Sequence, residues 1–388
     1  MKNALYASVS VAGVGLKQYK RGTAPMREQG ILVKAIVEAC EDAGFDPADI
    51  DGFVSYGDDR NNEPVRLMPE LGTKMLRLNT QMWGGGGGGM PGAFGLAASA
   101  IVSGQAKAVI VFRALVEDIS GRMSEAVMAH HLTKYIVGSG VMSPAQVCAM
   151  RAQRLFEYHG VPKSVTEDLV RASYYHGARN PQAVAYNTEF DADVLNSSRW
   201  IAEPFRLFDC SRENDGAGAL LLVSTEMARD LKKPPVKILA VANGAEKGWG
   251  DLLENDTHYA SAGFKPIAQQ LWQDTGLSPS DIDVVQLYEN FSAQGVASLI
   301  DHGFCDYDNV AEVINFDNLI APTGKLPINA AGGNFAQGFI HGIGTAIEAV
   351  QVLRGESSNP VANAKTCLLA GGPSAPTVSS AIFAAHDF

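Results

Sequence analysis

The 388-residue chain has few cysteines, and they follow no pattern. Cys40, Cys148, Cys210, Cys305 and Cys367 are scattered and odd in number, with no C-x-x-C pair. This excludes a disulfide framework and a zinc ribbon. Positive charge is also short: 31 Lys and Arg stand against 42 Asp and Glu, for a net charge of -11. Such a balance argues against nucleic acid or an anionic membrane as partner. No apolar run has the length of a membrane span. The N-terminus carries a single early lysine and alternates like a first strand, so it reads as structure rather than as a signal peptide. A cytoplasmic protein with no metal site of its own is the expectation.

What is present is ordinary globular composition, 46% hydrophobic and 19% charged, and an internal repeat. Residues 41–56, "EDAGFDPADIDGFVSY", align without a gap with 273–288, "QDTGLSPSDIDVVQLY". Each copy predicts a helix ending at Gly, a turn through x-Pro-x-Asp and a short apolar strand. A weaker pair follows, 84–104 with 332–355, each a Gly-rich loop opening a helix of small and apolar residues. Strands are then expected at 106–112 and 366–372. Alternating strands and helices imply largely parallel sheets with helices packed on them. The Lys232-Lys233-Pro234-Pro235 stretch divides the chain into halves 1–232 and 233–388, the first carrying a helical insertion over about 120–200. Ligands in such sheets bind beyond the strand C-termini, which gathers the run 84–89 and the loops 288–291, 332–341 and 371–376 at one site.

The run "WGGGGGGMPG" (83–92) has several readings. A G-x-G-x-x-G match inside six glycines carries almost no information, a phosphate-binding Walker loop would need Lys-Ser/Thr after it, and a linker would not lead straight into a buried helix. Around it the sequence resembles the thiolase superfamily, in its sterol-carrier-protein branch. The segment 197–231 with "RLFDC" and "DGAGA" resembles a family signature. "LYENFS" (287–292) stands at the family's Asn-Glu-Ala-Phe loop, "NAAGGNFAQGFIHGIG" (329–344) at its paired-glycine and Gly-His-Pro loops, and "LLAGGPSAP" (368–376) at its C-terminal Cys-x-Gly-Gly loop. The resemblance implies an α/β thiolase fold: two duplicated halves with buried central helices between mixed sheets, in five αβαβα layers.

Thiolase chemistry does not come with that resemblance. The family nucleophile position falls at Gly89, or Gly88 in a shifted register; its activating His falls at Phe339, its acid/base Cys at Leu369 or Ala370, and its water-orienting Asn at Tyr288. Cys367 lies in an expected buried strand. Asp209 and Asp215 read as structural, Tyr56 as the first half's equivalent of Tyr288 with no chemistry, and His130, His131 and His159 as packing residues. The chain is similar to the steroid side-chain-cleaving aldolases of the superfamily, which lack the Cys and carry a Y-x-x-F loop and a Y-I-H-G loop. Here Tyr288 and Phe291 match the first, and Phe339-Ile340-His341-Gly342 matches the second with one Tyr replaced. The resemblance implies retro-aldol cleavage of a bulky, steroid-like β-hydroxyacyl-CoA, with coenzyme A present as part of the substrate and no other cofactor. Tyr288 and His341 are the expected acid/base pair, with Glu289 and Asn290 as reserves. Gly88, Gly89, Asn290, Gly332, Gly333, Phe339, Gly371 and Gly372 are expected to bind substrate or stabilise an oxyanion. It further implies a homodimer and a small partner with an OB fold and zinc ribbon, giving a heterotetramer. The alternatives are a non-catalytic acyl-CoA-binding scaffold subunit and, with less support, an acyltransferase.

Overall fold

A computed structural model describes residues 4–57, 61, 64–84, 86–116, 137–246 and 259–388. His130 and His131 lie outside the described residues, as does Gly85 of the glycine run. The strands, in chain order, are β1 (Val9–Lys20), β2 (Gly52–Tyr56), β3 (Leu78–Met82), β4 (Ala108–Leu115), a small hairpin of β5 (Trp200–Ala202) and β6 (Phe205–Arg206), then β7 (Asn214–Ser224), β8 (Val236–Gly244), β9 (Val284–Leu287), β10 (Thr366–Ala370) and β11 (Val378–Ala384). Apart from the hairpin they run in the order β3-β2-β4-β7-β1-β8-β11-β10-β9. β1 and β8 join through two residue pairs, Ser10 with Lys237 and Val11 with Val236, so a narrow seam links the strands of the two halves.

The repeat is visible atom by atom. The helix Glu28–Ala43 closes at Gly44 and the helix Lys265–Thr275 at Gly276, both caps left-handed with φ of 67° and 74°. A single 3-10 turn, Pro47–Asp49 or Pro279–Asp281, then delivers the chain to β2 or β9. The repeated aspartates have one job. Asp51 accepts the Lys107 and Ala108 amides at 2.9 Å each, and Asp283 accepts those of Lys365 and Thr366 at 2.7 and 3.0 Å. Each carboxylate thus fixes the start of the strand that follows a central helix, β4 or β10.

Those helices, Met90–Val102 and Ile343–Arg354, supply Ala93, Phe94, Ala97, Ile343, Ala346, Ile347 and Val350 to one buried cluster with side chains from the strands of both halves. A second cluster lies under Glu28–Ala43 on the outer face of β1, β4 and β7, and a third packs the helices Pro144–Gln153, Lys163–Arg179, Lys265–Thr275 and Ser292–Asp301 on β8 to β11. Three cores alternating with two sets of strands give the expected five layers.

Parallel pairing is less general than the sequence suggests. It is confined to β3-β2-β4 and β9-β10, and the other pairs of the large sheet are antiparallel. Between β10 and β11 the seven residues 371–377 form a short return, which requires an antiparallel partner. β4 also runs to Leu115, three residues beyond the expected 112, and this extension places Arg113. The described part of the insertion is helical at Pro144–Gln153, Lys163–Arg179 and Ala192–Ser197.

Candidate active site

The C-terminal ends of the parallel strands converge at the N-termini of the two central helices. Tyr288 follows β9 directly, its amide held by the Ala370 carbonyl at 3.1 Å, and its side chain is buried. The ring lies between the two helix entrances. A Cβ built at Gly87 would sit 1.8 Å from Tyr288 Cε2, and one at Gly342 would sit 2.4 Å from Cδ2. Tyr288 fills this position because both neighbours lack side chains. Its counterpart Tyr56, at the end of β2, crosses the other way: its hydroxyl donates to the His341 carbonyl at 2.9 Å, just before the second central helix. Each half therefore sends its repeated tyrosine to the entrance of the other half's helix.

The glycine run is closely packed along its length. A Cβ at Gly88 would meet Ala375 Cβ and the Thr377 carbonyl at 2.7 Å, whereas one at Gly89 would meet the Met82 carbonyl at a milder 3.1 Å. The closest approach is at Gly87, where the Tyr288 ring takes the place a side chain would fill. Gly371 and Gly372 do not present free oxyanion donors either. Their amides donate to the Ser379 carbonyl at 2.9 Å and the Gly87 carbonyl at 2.8 Å. They serve instead to bring the two loops into backbone contact, with Ser379 Oγ donating to the Gly88 carbonyl at 2.6 Å.

The loop 332–341 is similarly occupied. Gly332 is pressed against the backbone of Gly177. Gly333 faces the Glu289 carboxyl so closely that a Cβ there would lie 2.0 Å from Oε1. Gly333 thus makes room for Glu289, and Gly332 for the close approach of the helix Lys163–Arg179. Asn290 is half-buried, and its Oδ1 accepts the Phe291 amide at 2.9 Å. Phe339 is buried, its ring 5.8 Å from that of Tyr288 and 4.9 Å from that of His341.

His341 is the most constrained residue of the group. Its φ is +44°, in the left-handed region, and Arg113 Nη2 lies 2.6 Å from its Nδ1. Arg113 is itself buried, and its Nη1 donates to the carbonyls of Tyr56 and Gly57 at 2.8 and 2.5 Å. A role for His341 as a base at Nδ1 is closed, because that nitrogen faces a donor. Sequence reasoning passed over Arg113 and gave Tyr56 no part in the site. Strand alternation carries a signal for the first: Val109, Val111 and Leu115 enter the central core, and Arg113 falls on the same face.

Two carboxyls near these elements are buried. Glu289 is pushed up to about 8 by burial, which outweighs the pull of the Asn334 and Phe335 amides and of Asn329. Glu348, on the second central helix, is pushed up to about 7 by burial against the opposing hydrogen bond from Ser357. Between about pH 4.5 and 8 folded Glu289 keeps a proton that the unfolded chain releases. Stability contributed by this group is therefore lost as pH rises through that window. Glu289→Gln is expected to flatten the fall in unfolding free energy between about pH 6 and 9 by on the order of 2–4 kcal/mol. Urea titrations across that range read the slope; identical slopes in both proteins would show that Glu289 is not protonated in the fold.

No cysteine supplies a nucleophile. All five are free, and Cys40, Cys148, Cys210 and Cys305 are pushed up to about 12, chiefly by burial. Cys367 is buried in β10 and pushed higher still. Asp209 is buried and accepts Ser292 Oγ at 2.7 Å, Asp215 accepts the Ala24 amide at 3.3 Å, and His159 stacks on Tyr307 at 4.0 Å. Among the described residues no cluster of three His, Cys, Asp or Glu is arranged to hold a metal ion, and no helix is long and apolar enough to cross a membrane.

Fold and site together define a thiolase-type α/β protein in which the ring of a tyrosine lies between the entrances of the two central helices. Residues 245–384 match the family model described as thiolase C-terminal domain-like. The chain is 31% identical to a steroid side-chain-cleaving aldolase of Thermomonospora curvata, over 96% of this chain and 97% of that protein. It is 30% identical to the 17-hydroxy-3-oxo-4-pregnene-20-carboxyl-CoA lyase of Mycobacterium tuberculosis, over 96% and 98%. The solved Ltp2-ChsH2(DUF35) aldolase superposes with a TM-score of 0.91 at 30% identity, covering 100% of both chains. The chain belongs to the thiolase superfamily, in the sterol-carrier-protein-like branch that contains these aldolases.

Proposed function

We propose that this protein is a carbon–carbon lyase that cleaves a bulky, steroid-like β-hydroxyacyl-CoA by retro-aldol reaction. The observation that carries the reading is the Tyr288 ring between the two helix entrances, at a position where no thiol is available. A base takes the β-hydroxyl proton, the Cα–Cβ bond breaks as the carbonyl of the released fragment forms, and the electron pair moves into the thioester enolate. Protonation of that enolate yields the shortened acyl-CoA. Tyr288, as phenolate and then as phenol, carries out both proton transfers in this reading. His341 stabilises the thioester oxygen as charge develops there. Without a covalent intermediate the reaction needs no cofactor beyond the coenzyme A of its substrate.

The working assembly in this reading is a homodimer that binds a small OB-fold, zinc-ribbon partner to form a heterotetramer. A cytoplasmic setting agrees with five unpaired thiols. Incubation of the chain with a steroid β-hydroxyacyl-CoA, alone and with such a partner, is expected to release a ketone or aldehyde and a shortened acyl-CoA, at a higher rate with the partner present. Binding of acyl-CoA without cleavage under either condition would favour the scaffold alternative, which gains weight from Phe339 standing where the related loop carries Tyr.

A further inference from the structure

We infer that Arg113 is a positioning residue that sets His341 as a hydrogen-bond donor, with its proton on Nε2. The inference deepens the lyase reading, on which its kinetic part rests. A guanidinium offers five N–H donors and no acceptor. With Arg113 Nη2 at 2.6 Å from His341 Nδ1, that nitrogen must accept, so the ring is neutral and its proton resides on Nε2. The arrangement is the inverse of the common one, in which a carboxylate or carbonyl holds Nδ1–H and leaves Nε2 as the base.

Several independent features hold the ring in this state. Arg113 cannot swing away without leaving the Tyr56 and Gly57 carbonyls, which its other terminal nitrogen binds. Its side chain is buried on the core face of β4. The His341 backbone, at φ +44°, adopts a left-handed conformation that is strained for a non-glycine residue. The Tyr56 hydroxyl binds the carbonyl of that same residue. A strained backbone fixed from both its carbonyl and its ring is over-determined, as expected where orientation matters. The ring packs edge-on against Phe339, which packs against Tyr288. A neutral donor one aromatic ring away from the base is suited to an enolate oxygen. An imidazolium is not required for that task, and an imidazole base would compete with Tyr288.

The test reads the tautomer directly. In the full-length protein labelled with 15N-histidine, the His341 ring, assigned by its loss in His341→Gln, is expected to show an unprotonated Nδ1 and a protonated Nε2. In Arg113→Met that pattern is expected to be lost, with kcat falling about 10- to 100-fold and KM changing less than about threefold, as for removal of one oriented donor. Arg113→Lys, which retains a donor-only side chain, is expected to restore the tautomer and part of kcat. A protonated Nδ1 in the wild-type protein overturns the inference, whether or not any variant folds. So does an unchanged tautomer in Arg113→Met. If the wild-type chain cleaves no substrate, the lyase reading fails, while the tautomer still decides how Arg113 acts on His341.

Discussion

Tyr288→Phe is expected to lower kcat/KM for β-hydroxyacyl-CoA cleavage by about 10²- to 10⁴-fold, the span of a lost general acid–base group. The substitution removes one oxygen and keeps the ring, and the ring is what fills the space between Gly87 and Gly342. Packing should therefore survive, and stability should change by no more than about 1 kcal/mol, the net worth of a typical hydrogen bond. An ordinary phenol has a pKa of about 10, so the wild-type rate should rise with pH where phenolate formation limits it, and the residual rate of Tyr288→Phe should not follow that rise. Substrate affinity should persist, since binding and proton transfer reside in different groups. Cleavage at the wild-type rate in a folded Tyr288→Phe protein would remove Tyr288 from the mechanism and direct attention to Glu289, the adjacent buried carboxyl.

The sequence carried the architecture because the repeat is written in residues with fixed physical jobs. Gly44 and Gly276 take the left-handed caps, Pro47 and Pro279 open the same turn, and Asp51 and Asp283 fasten the next strand. It also pointed to Tyr288, Phe339 and His341 as one group, and the fold brings those three rings together. Which glycine of the run packs on Tyr288 is not legible, because six identical residues without side chains give no periodicity to align. Which glycine faces Tyr288 depends on how the turn Gly86–Gly89 joins the helix Met90–Val102, a tertiary matter. The destinations of the Gly371 and Gly372 amides were hidden for the same reason: a backbone donor leaves no mark in the sequence. Arg113 was legible in principle, as a lone charge on the core face of a strand. Its use was not, because its partner lies 228 positions away in the other half.

Gly87 is where this packing can be tested most severely. Gly87→Ala places a methyl 1.8 Å from Cε2 and 2.4 Å from Cζ of Tyr288, distances that no rotation of a methyl relieves. Either the ring moves or the loop does. Overpacking of this kind costs typically about 1–3 kcal/mol, and a displacement of about 1 Å at a reacting group costs on the order of 10²-fold in rate. Gly87→Ala is thus expected to lower Tm by several degrees and to abolish most cleavage, although no catalytic atom has been removed. Gly89→Ala provides the contrast, since its nearest contacts are 3.1 to 3.2 Å and a shift of a few tenths of an ångström accommodates them. It should retain most stability and activity. The double variant Gly87→Ala/Tyr288→Ala separates the two consequences of the clash. With the ring gone the added methyl has space, so the stability losses of the two changes should be less than additive, as for residues in direct contact. Activity should remain lost, because the proton-transfer group is missing. Additive stability losses, or a fully active Gly87→Ala, would mean that the Tyr288 ring does not occupy the place left open at Gly87. In that case the space beside Gly87 would be open to substrate, and the acid/base group would have to be sought on another loop.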